Sequence, residues 1–384
     1  MIITTQDALN EFCAGLKSEK FITVDTEFLR EKTYFSKLCL IQVSGADKDA
    51  RAVDPLAEGL DLAPLYELFF DDKILKIFHA ARQDLEIIFN LTGKVVQPLF
   101  DTQIAAMVCG YGDQVGYERL VREITEAQLD KSVQYTDWSR RPLSERQINY
   151  ALGDVTHLCD VYLHLVNKLE ERGRTEWVFQ EEDILLDPET YTNHFDEAYR
   201  RIKIRNPKPK TLAVLRELAA WREARAQKKN IPRGWVMKDD TLADMAAQAP
   251  RNVAELKKIR NMSKDLADGH VGQALLAAIQ KALNTPHTEW PKVKKKKPPG
   301  PTVSARMDIL KMLVKIQASI HDVAPKLIIS NDDLEKLAME EEPDIPALKG
   351  WRREVFGNDA LAIKNGEIAI GLNGSKIEKF PIKD

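Results

Sequence analysis

Four acidic residues, far apart in the chain, have the types and local spacing of ligands for a divalent cation. Asp25 and Glu27 end the apolar run 21–24, and in a strand the side chains at positions i and i+2 point to the same side. Two carboxylates that face one way repel each other unless a cation or a proton separates them. Oxygen ligands of this kind suit Mg²⁺ or Mn²⁺. The pair therefore predicts part of a metal site, to which we add the acids Asp84 and Asp154.

The other two acids lie on predicted helices, and one of them has a phenol beside it. Asp154 lies mid-helix, where the helix dipole gives an acid no advantage, and Tyr150 precedes it by four residues on the same helix face. The carboxylate can hold a metal that acidifies a water molecule, and the phenol can orient that water. Each residue alone has an ordinary alternative: Asp84 as an acid favoured at a helix N-terminus, and Tyr150 as a core edge beside an exposed Asp154. The set of four favours the metal site.

Alternating strands and helices must position these residues. Apolar or period-2 runs predict strands at 21–26, 38–43, 52–54, 76–79 and 99–101, with helical spacing at 10–17, 60–70, 81–91 and 103–109. A long helix is predicted at 145–171, because Ser144 and Gln147 have the spacing of a capping box. This order indicates an α/β fold for residues 1–174.

The remaining residues predict small helical domains. We expect a helical connector at 175–206, an all-helical domain at 207–284, a solvated linker rich in proline and lysine at 285–303, and a second all-helical domain at 304–376. Both helical domains place a proline-containing turn after their first helix and begin the next helix with acidic residues. We interpret this as a weak internal repeat.

The charge is distributed unevenly along the chain. Residues 1–200 have a net charge of -15, residues 201–300 of +14 and residues 301–384 of -2. A cationic block of this size commonly binds a polyanion, because neutralised phosphates release counterions. The alternative is a solvated surface that balances an acidic neighbour.

Composition limits the class of protein. The 384 residues, 44% hydrophobic and 30% charged, indicate a globular chain of two or three domains. The sequence shows neither an apolar run long enough to span a membrane nor a secretory signal, so we expect a cytoplasmic protein. The four cysteines lie among apolar neighbours without C-x-x-C spacing, which predicts buried, reduced thiols.

The motifs resemble those of a known family. Asp25-Thr26-Glu27, residues 79–84 and residues 150–154 are similar to the three motifs of DEDD-superfamily exonucleases, in the subgroup with a tyrosine four residues before the last aspartate. Residues 33–34, 40–42, 100–102 and 137–143 resemble bacterial ribonuclease D. The two helical domains resemble the helicase-and-RNase-D C-terminal (HRDC) domains that follow it.

The resemblance implies a ribonuclease H-like fold with a mixed sheet flanked by helices, followed by two small all-α HRDC-like domains. It also implies two divalent metal ions, one held by Asp25, Glu27 and Asp154, the other by Asp25 and Asp84. Tyr150 would position the attacking water. The implied activity is 3′-to-5′ exoribonuclease action that releases nucleoside 5′-monophosphates, with RNA, above all tRNA precursors, as partner and a monomeric protein as the working form.

Other residues have predicted roles that rest on fewer observations. We expect His79 to be a satisfied strand-end histidine, Asp101 to cap the following helix, and Trp221 to lie in a core; Trp235 is left open. Candidate RNA contacts are Arg82, Gln83, Arg140, Arg141, Arg222, Arg225, Lys228, Lys229 and Arg233, although exposed arginines are usually only solvated.

Two rival functions stay open. A DNA exonuclease on the same fold would use the same carboxylates, and an RNA-binding protein with a lapsed site would keep the cationic block. We also expect that removal of residues 201–384 weakens RNA binding while attack on short oligonucleotides survives.

Overall fold

The structure is a computed structural model that describes residues 1–134, 136–293, 299–374 and 376–382. These residues form two compact units. The first comprises Met1–Glu27, Cys39–Thr190 and Lys297–Asp384, and the second comprises Phe28–Leu38 and Tyr191–Lys296. This division is coarser than the five predicted segments, whose boundaries stay predictions.

A six-stranded mixed sheet forms the centre of the first unit. Its spatial order is β1-β4-β3-β2-β5-β6, with β1–β4, β2–β5 and β5–β6 parallel and β3–β4 antiparallel. The strands are β1 Ile2–Ile3, β2 Phe21–Leu29, β3 Lys37–Ser44, β4 Arg51–Val53, β5 Leu75–Phe78 and β6 Leu99–Asp101. The predicted strands match β2 to β6, whereas the two residues of β1 are too few to carry a periodic signal.

Helices cover this sheet. They are α1 Gln6–Leu16, α2 Ala63–Phe69, α3 Arg82–Thr92, α4 Thr102–Val108, α5 Tyr117–Thr125, α6 Glu145–Glu171 and α7 Thr175–Leu186. Helix α6 begins with the predicted capping box of Ser144 and Gln147. Helix α7 begins the predicted helical connector. Its buried face includes an acid, Glu182, which interrupts the apolar pattern of the sequence.

A first helical module, defined here as α8 to α13, has its own core in the second unit. Its elements are α8 Pro209–Lys229, α9 Arg233–Val236, α10 Asp239–Gln248, α11 Val253–Leu256, α12 Lys264–Asp268 and α13 His270–Asn284. Leu215 and Leu218 of α8 pack with Leu242 of α10 and Leu275 of α13 in that core. The prediction of an all-helical segment is confirmed here.

A second helical module, defined as α14 to α18, repeats the order of the first. Its elements are α14 Pro301–His321, α15 Pro325–Ile328, α16 Asn331–Met339, α17 Gly350–Arg352 and α18 Asn358–Lys364, with a π-helical segment at Arg353–Gly357. Because α14 begins at Pro301, the linker is shorter than predicted. Its lysine run 294–297 lies outside the described residues.

A β-hairpin follows the second module, where the sequence analysis expected helical structure to 376. Strands β7 Ile368–Asn373 and β8 Lys376–Pro381 pair antiparallel. The signal for it was present: alternating apolar residues flank the dipeptide Asn373-Gly374, which is typical of tight hairpin turns.

The second helical module shares its core with the domain that contains the sheet. Leu310 and Leu313 of α14 belong to the same apolar cluster as Leu165 and Leu169 of α6. Two tryptophan rings stack across the same interface: Trp177 of α7 lies 4.4 Å from Trp351, with 9° between the rings. The expectation that residues 201–384 can be removed without harm to catalysis is therefore corrected, since that deletion would uncover a core face.

A close approach at the end of α14 extends this interface. Asp322 ends the helix in the left-handed region, with φ 49°, and accepts a hydrogen bond of 2.9 Å from Arg172 at the end of α6. Gly110 lies directly against it, and a Cβ atom at that position would stand 2.0 Å from Asp322 Oδ1. The positive φ of 85° favours glycine at position 110, whereas the Asp322 carboxylate is the end of an exposed side chain and can turn aside.

All four cysteines are buried and reduced, as predicted. Among the described residues, no helix combines the length and the apolar character needed to cross a bilayer.

Candidate active site

Three of the predicted metal ligands meet at one point. Asp25 and Glu27 lie on β2 and Asp154 lies on α6, and each offers a carboxylate oxygen within 4.8 Å of the other two. The alternation of side chains along β2 places both of its acids on one side of the strand. Residues separated by more than a hundred positions in sequence thus form one anionic cluster.

The fourth acid, Asp84, stands in the first turn of α3 next to this cluster. It is 7% exposed, and its carboxylate accepts a hydrogen bond from the hydroxyl of Thr26, the residue between the two acids of β2. Burial, followed by the charge of Asp25, raises the pKa of Asp84 well above its usual range. Thr26 thus links Asp84 to the strand that carries Asp25 and Glu27, and Asp84 lies outside the group of three acids whose oxygens meet within 4.8 Å.

The cluster is electrostatically unfavourable without a counter-charge. Burial raises the pKa of Asp25 to about 6. Burial together with the charges of Asp25, Asp154 and Asp84 raises the pKa of Glu27 to about 10. Burial and the charge of Asp25 also raise the pKa of Asp154. Each carboxylate disfavours ionisation of its neighbours, and a bound cation would reverse that preference.

The residues present fit a hard divalent cation. Asp154 Oδ1 is buried and has no hydrogen-bond partner in the part of the chain that the structure describes. A buried oxygen of this kind needs a partner, and here it points into a set made only of carboxylates. Oxygen ligands favour Mg²⁺ or Mn²⁺ over softer metals.

Tyr150 lies beside the acids, one helical turn before Asp154. Burial, followed by the charges of Asp154, Glu27 and Asp25, raises the pKa of its hydroxyl. The tyrosine and the acids line a cleft of about 210 Å³. The residues that line it are Asp25, Thr26, Glu27, His79, Tyr117, Gln134, Tyr150, Asp154 and Leu158.

His79 also lines the cleft, but its ring is fully engaged. Its Nδ1 lies 3.0 Å from Thr102 Oγ1 and its Nε2 lies 3.1 Å from the Val115 carbonyl oxygen. Burial lowers its pKa, which favours the neutral ring. The interpretation as a satisfied strand-end histidine agrees with these contacts.

Asp101 caps α4 through Gln103 N–H, as predicted, and has a second role that the sequence did not reveal. Its carboxylate also accepts hydrogen bonds from Ala80 and Ala81 N–H, at 2.9 and 2.8 Å. Ala80 has φ 59°, a strained conformation for a residue with a Cβ atom. Asp101 thus holds the turn that leads into α3 and Asp84.

Two cleft residues were missed from the sequence. Tyr117 donates a hydrogen bond to the Asp154 carbonyl oxygen, and Gln134 comes from the segment before α6. Neither lies in a recognised motif. Tyr117 begins the described helix α5, an element that the sequence analysis left unassigned.

The candidate RNA contacts near the motifs differ in what they can offer. Arg82, Gln83 and Arg140 are exposed. Arg141 donates to both carboxylate oxygens of Asp54, at 2.6 Å each, and also to the Cys39 carbonyl oxygen at 2.7 Å. Its guanidinium is therefore committed to holding the loop before α6 against β3 and the turn after β4.

Among the candidate RNA contacts of the first helical module, one prediction is wrong. Arg222 is 2% exposed and forms an ion pair of 2.6 Å with Asp239, so it stabilises the module and has no surface for RNA. Lys228 and Lys229 are exposed. Arg225 lies over the half-buried ring of Trp221, which packs against the module core as expected.

Trp235, which was left open, is 64% exposed and follows the half-buried Arg233 on α9. The assignments of Arg82, Gln83, Arg140, Arg225, Lys228, Lys229 and Arg233 as RNA contacts stay predictions.

Family profiles match both halves of this architecture. Residues 1–170 match the 3′-5′ exonuclease family and residues 211–279 match the HRDC domain family. The first match covers the sheet, the three clustered acids and Asp84, and the second covers the core of the first helical module.

Curated relatives and a solved structure match nearly the whole chain. Ribonuclease D of Granulibacter bethesdensis is 46% identical over 98% of this chain and 95% of its own length, and ribonuclease D of a Jannaschia species is 47% identical over 98% of each. The crystal structure of Escherichia coli RNase D, described as an exoribonuclease involved in structured RNA processing, has a TM-score of 0.80 at 29% identity. That match covers 95% of this chain and 98% of the other.

Proposed function

Because this chain belongs to the ribonuclease D family, we propose that it hydrolyses the 3′-terminal phosphodiester of RNA with the help of two divalent cations. The observation that carries the proposal is the meeting of three carboxylates within 4.8 Å of one another, beside Tyr150 and Asp84. Such a cluster has no structural use that would offset its mutual repulsion.

The residues divide the work as follows. Asp25, Glu27 and Asp154 would hold one cation, and Asp25 and Asp84 would hold the second. When bound, the cations lower the pKa of the attacking water and stabilise the charge that builds on the scissile phosphate. Tyr150, which lines the cleft one helical turn before Asp154, orients the water through its hydroxyl. Attack at the last phosphorus releases a nucleoside 5′-monophosphate.

The substrate proposed is a structured RNA precursor, with tRNA 3′ ends first. Support comes from the net charge of +14 in residues 201–300 and from the similarity to a structure described as an RNA-processing exoribonuclease. A cationic surface of this kind gains affinity for RNA through counterion release. We further propose that the protein works as a monomer, since one chain supplies every residue that lines the cleft, and in the cytoplasm, where its four buried thiols stay reduced.

Digestion of a 3′-extended tRNA with added Mg²⁺ or Mn²⁺ tests this function. We expect shortening from the 3′ end, release of 5′-monophosphates and full inhibition by EDTA. Asp25→Asn and Asp154→Asn should each reduce the rate by more than about 1,000-fold, because a neutral amide cannot replace the anionic ligand. Glu176→Gln, which neutralises an exposed acid outside the motifs and the cationic block, serves as control.

The same assay separates the rival functions. Equal rates on RNA and DNA oligonucleotides of one sequence would favour a general exonuclease. RNA binding without product in either metal would indicate a lapsed site, and unchanged activity in Asp25→Asn would reject the proposed ligands.

A further inference from the structure

The segment that follows the catalytic strand is bound to the first helical module. We name residues 30–36, between the end of β2 and the start of β3, the strap. Tyr34 N–H and Phe35 N–H both donate to Asn230 Oδ1, at 3.1 Å each, and the Tyr34 hydroxyl donates to Glu223 Oε2 at 2.9 Å. Residues 28–38 accordingly fall in the second compact unit, together with the first helical module.

The buried carboxylate of Glu223 stabilises the attachment of the strap. Its side chain is 2% exposed, and its Oε1 has no hydrogen-bond partner among the described residues, although Arg233 Nη1 lies 3.6 Å away. A buried carboxylate is costly unless hydrogen bonds replace its lost water, so the Tyr34 hydroxyl fills a specific need. Burial and the Glu223 charge raise the pKa of Tyr34 to about 12, which keeps its proton in place for this bond.

Asn230 serves two purposes at the end of α8. Its backbone is left-handed, with φ 47° and ψ 50°, a conformation for which glycine is the usual choice. Glycine would satisfy the backbone but would leave Tyr34 and Phe35 N–H without this acceptor. Asn261 in the same module also has a positive φ of 63°, and its side chain is exposed, so it offers a matched position.

The strap leaves β2 three residues after Glu27. We propose that Tyr34, Asn230 and Glu223 are positioning residues, through which the first helical module holds the strap and thereby the end of β2 that carries Glu27. This inference rests on the proposed function. It gives the module a role in catalysis in addition to RNA binding, and the role applies to every substrate, however short.

Measurements of kcat and KM on two RNAs, a pentanucleotide and a 3′-extended tRNA, at saturating Mg²⁺ test the proposed role of the strap. Asn230→Gly and Tyr34→Phe should lower kcat about 10-fold on both RNAs, with KM within about twofold, because small displacements of a catalytic group are costly. Asn230→Asp keeps an oxygen acceptor and should restore kcat to within about twofold of wild type. Asn261→Gly should match wild type.

Binding of Mn²⁺, followed by electron paramagnetic resonance, gives a second readout that does not depend on turnover. Groups that hold a metal ligand in place affect affinity, so Asn230→Gly should bind Mn²⁺ about 10-fold more weakly than wild type and Asn230→Asp. Thermal unfolding of each variant is measured alongside, so that a change in stability is separated from a change in kcat.

Three outcomes would overturn the inference. They are an unchanged kcat in both Asn230→Gly and Tyr34→Phe, a rise in KM confined to the tRNA, and an equal loss of kcat in Asn230→Asp and Asn230→Gly. If the wild-type protein releases no mononucleotide from either RNA, the proposed function fails instead. An active wild type with unaffected variants rejects only the role of the strap.

Discussion

The two helical modules begin alike and are anchored differently. Helices α8 and α14 each span 21 residues, begin with proline and end in a left-handed residue, Asn230 or Asp322. In the first module that residue binds the strap, and the module keeps a core of its own. In the second module it binds Arg172 of α6, and the helices share the core of the exonuclease domain. The same repeat thus serves once as a separate body and once as part of the nuclease.

The largest expected effect is that of deleting the second module. Removal of residues 301–384 uncovers buried leucines, each worth about 1.5–3 kcal/mol, against a total stability of about 5–15 kcal/mol. We expect little soluble, folded protein, measured by the soluble fraction and by circular dichroism. Replacement of residues 209–284 by a glycine-serine linker is the comparison and should leave the sheet folded. Equal solubility of the two deletions would remove the distinction between the modules.

A matched pair of core substitutions sharpens the comparison. Leu313 of α14 and Leu218 of α8 are both fully buried, and truncation of either to alanine should cost about 2–5 kcal/mol. Only Leu313→Ala should accelerate hydrogen exchange of the β5 amides, because only that leucine belongs to the core shared with the sheet. Accelerated β5 exchange in Leu218→Ala would show that the two cores are coupled.

A smaller effect concerns a buried acid on α7, in the unit that contains the second module. Glu182 is 1% exposed, its carboxylate accepts from Asp101 N–H, and burial raises its pKa from 4.5 to about 9. Between these values the folded state keeps a proton that the unfolded state releases, so the free energy of unfolding falls as pH rises. Glu182→Gln should flatten this dependence and stabilise the protein at pH 8 by more than about 1 kcal/mol.

Urea unfolding from about pH 5 to pH 9 measures this, with the exposed Glu176 of the same helix, changed to Gln, as control. Identical pH profiles for wild type and Glu182→Gln would contradict the buried-proton account.

The smallest expected effect is at the ion pair between Arg172 and Asp322. The two side chains are 31% and 52% exposed, so solvent screens their attraction. Arg172→Ala should cost no more than about 1 kcal/mol in thermal or urea unfolding. A loss above about 2 kcal/mol would mean that charge, and not apolar packing, holds the second module.

The central sheet and the residue types of the metal ligands could be predicted from the sequence because those signals are local. Apolar runs mark β2 to β6, and the capping box marks the start of α6. The convergence of Asp25, Glu27 and Asp154 followed from motif resemblance, since no local pattern brings β2 to the middle of α6. The second role of a residue that serves two purposes, such as that of Asp101 at the turn before α3, was not predicted from the sequence.

The helical modules also contain features that were not predicted from the sequence. Arginine is a residue type that is typical of RNA contacts, and only the burial of Arg222 against Asp239 excludes that role. The shared core of the second module was not visible either, because an apolar helix face does not specify which surface covers it. The hairpin at 368–381 had a readable turn signal, which the helical expectation for this region obscured.

The contact between Gly110 and Asp322 has a practical consequence. Even a methyl group at position 110 would overlap the carboxylate, and φ +85° already disfavours other residues there. Because the Asp322 carboxylate ends a side chain that is 52% exposed, it can turn aside, so an alanine at position 110 would strain the backbone and break the ion pair with Arg172 while the apolar faces stay packed. Variants at position 110 therefore offer a mild way to perturb one joint of the protein without opening its shared core.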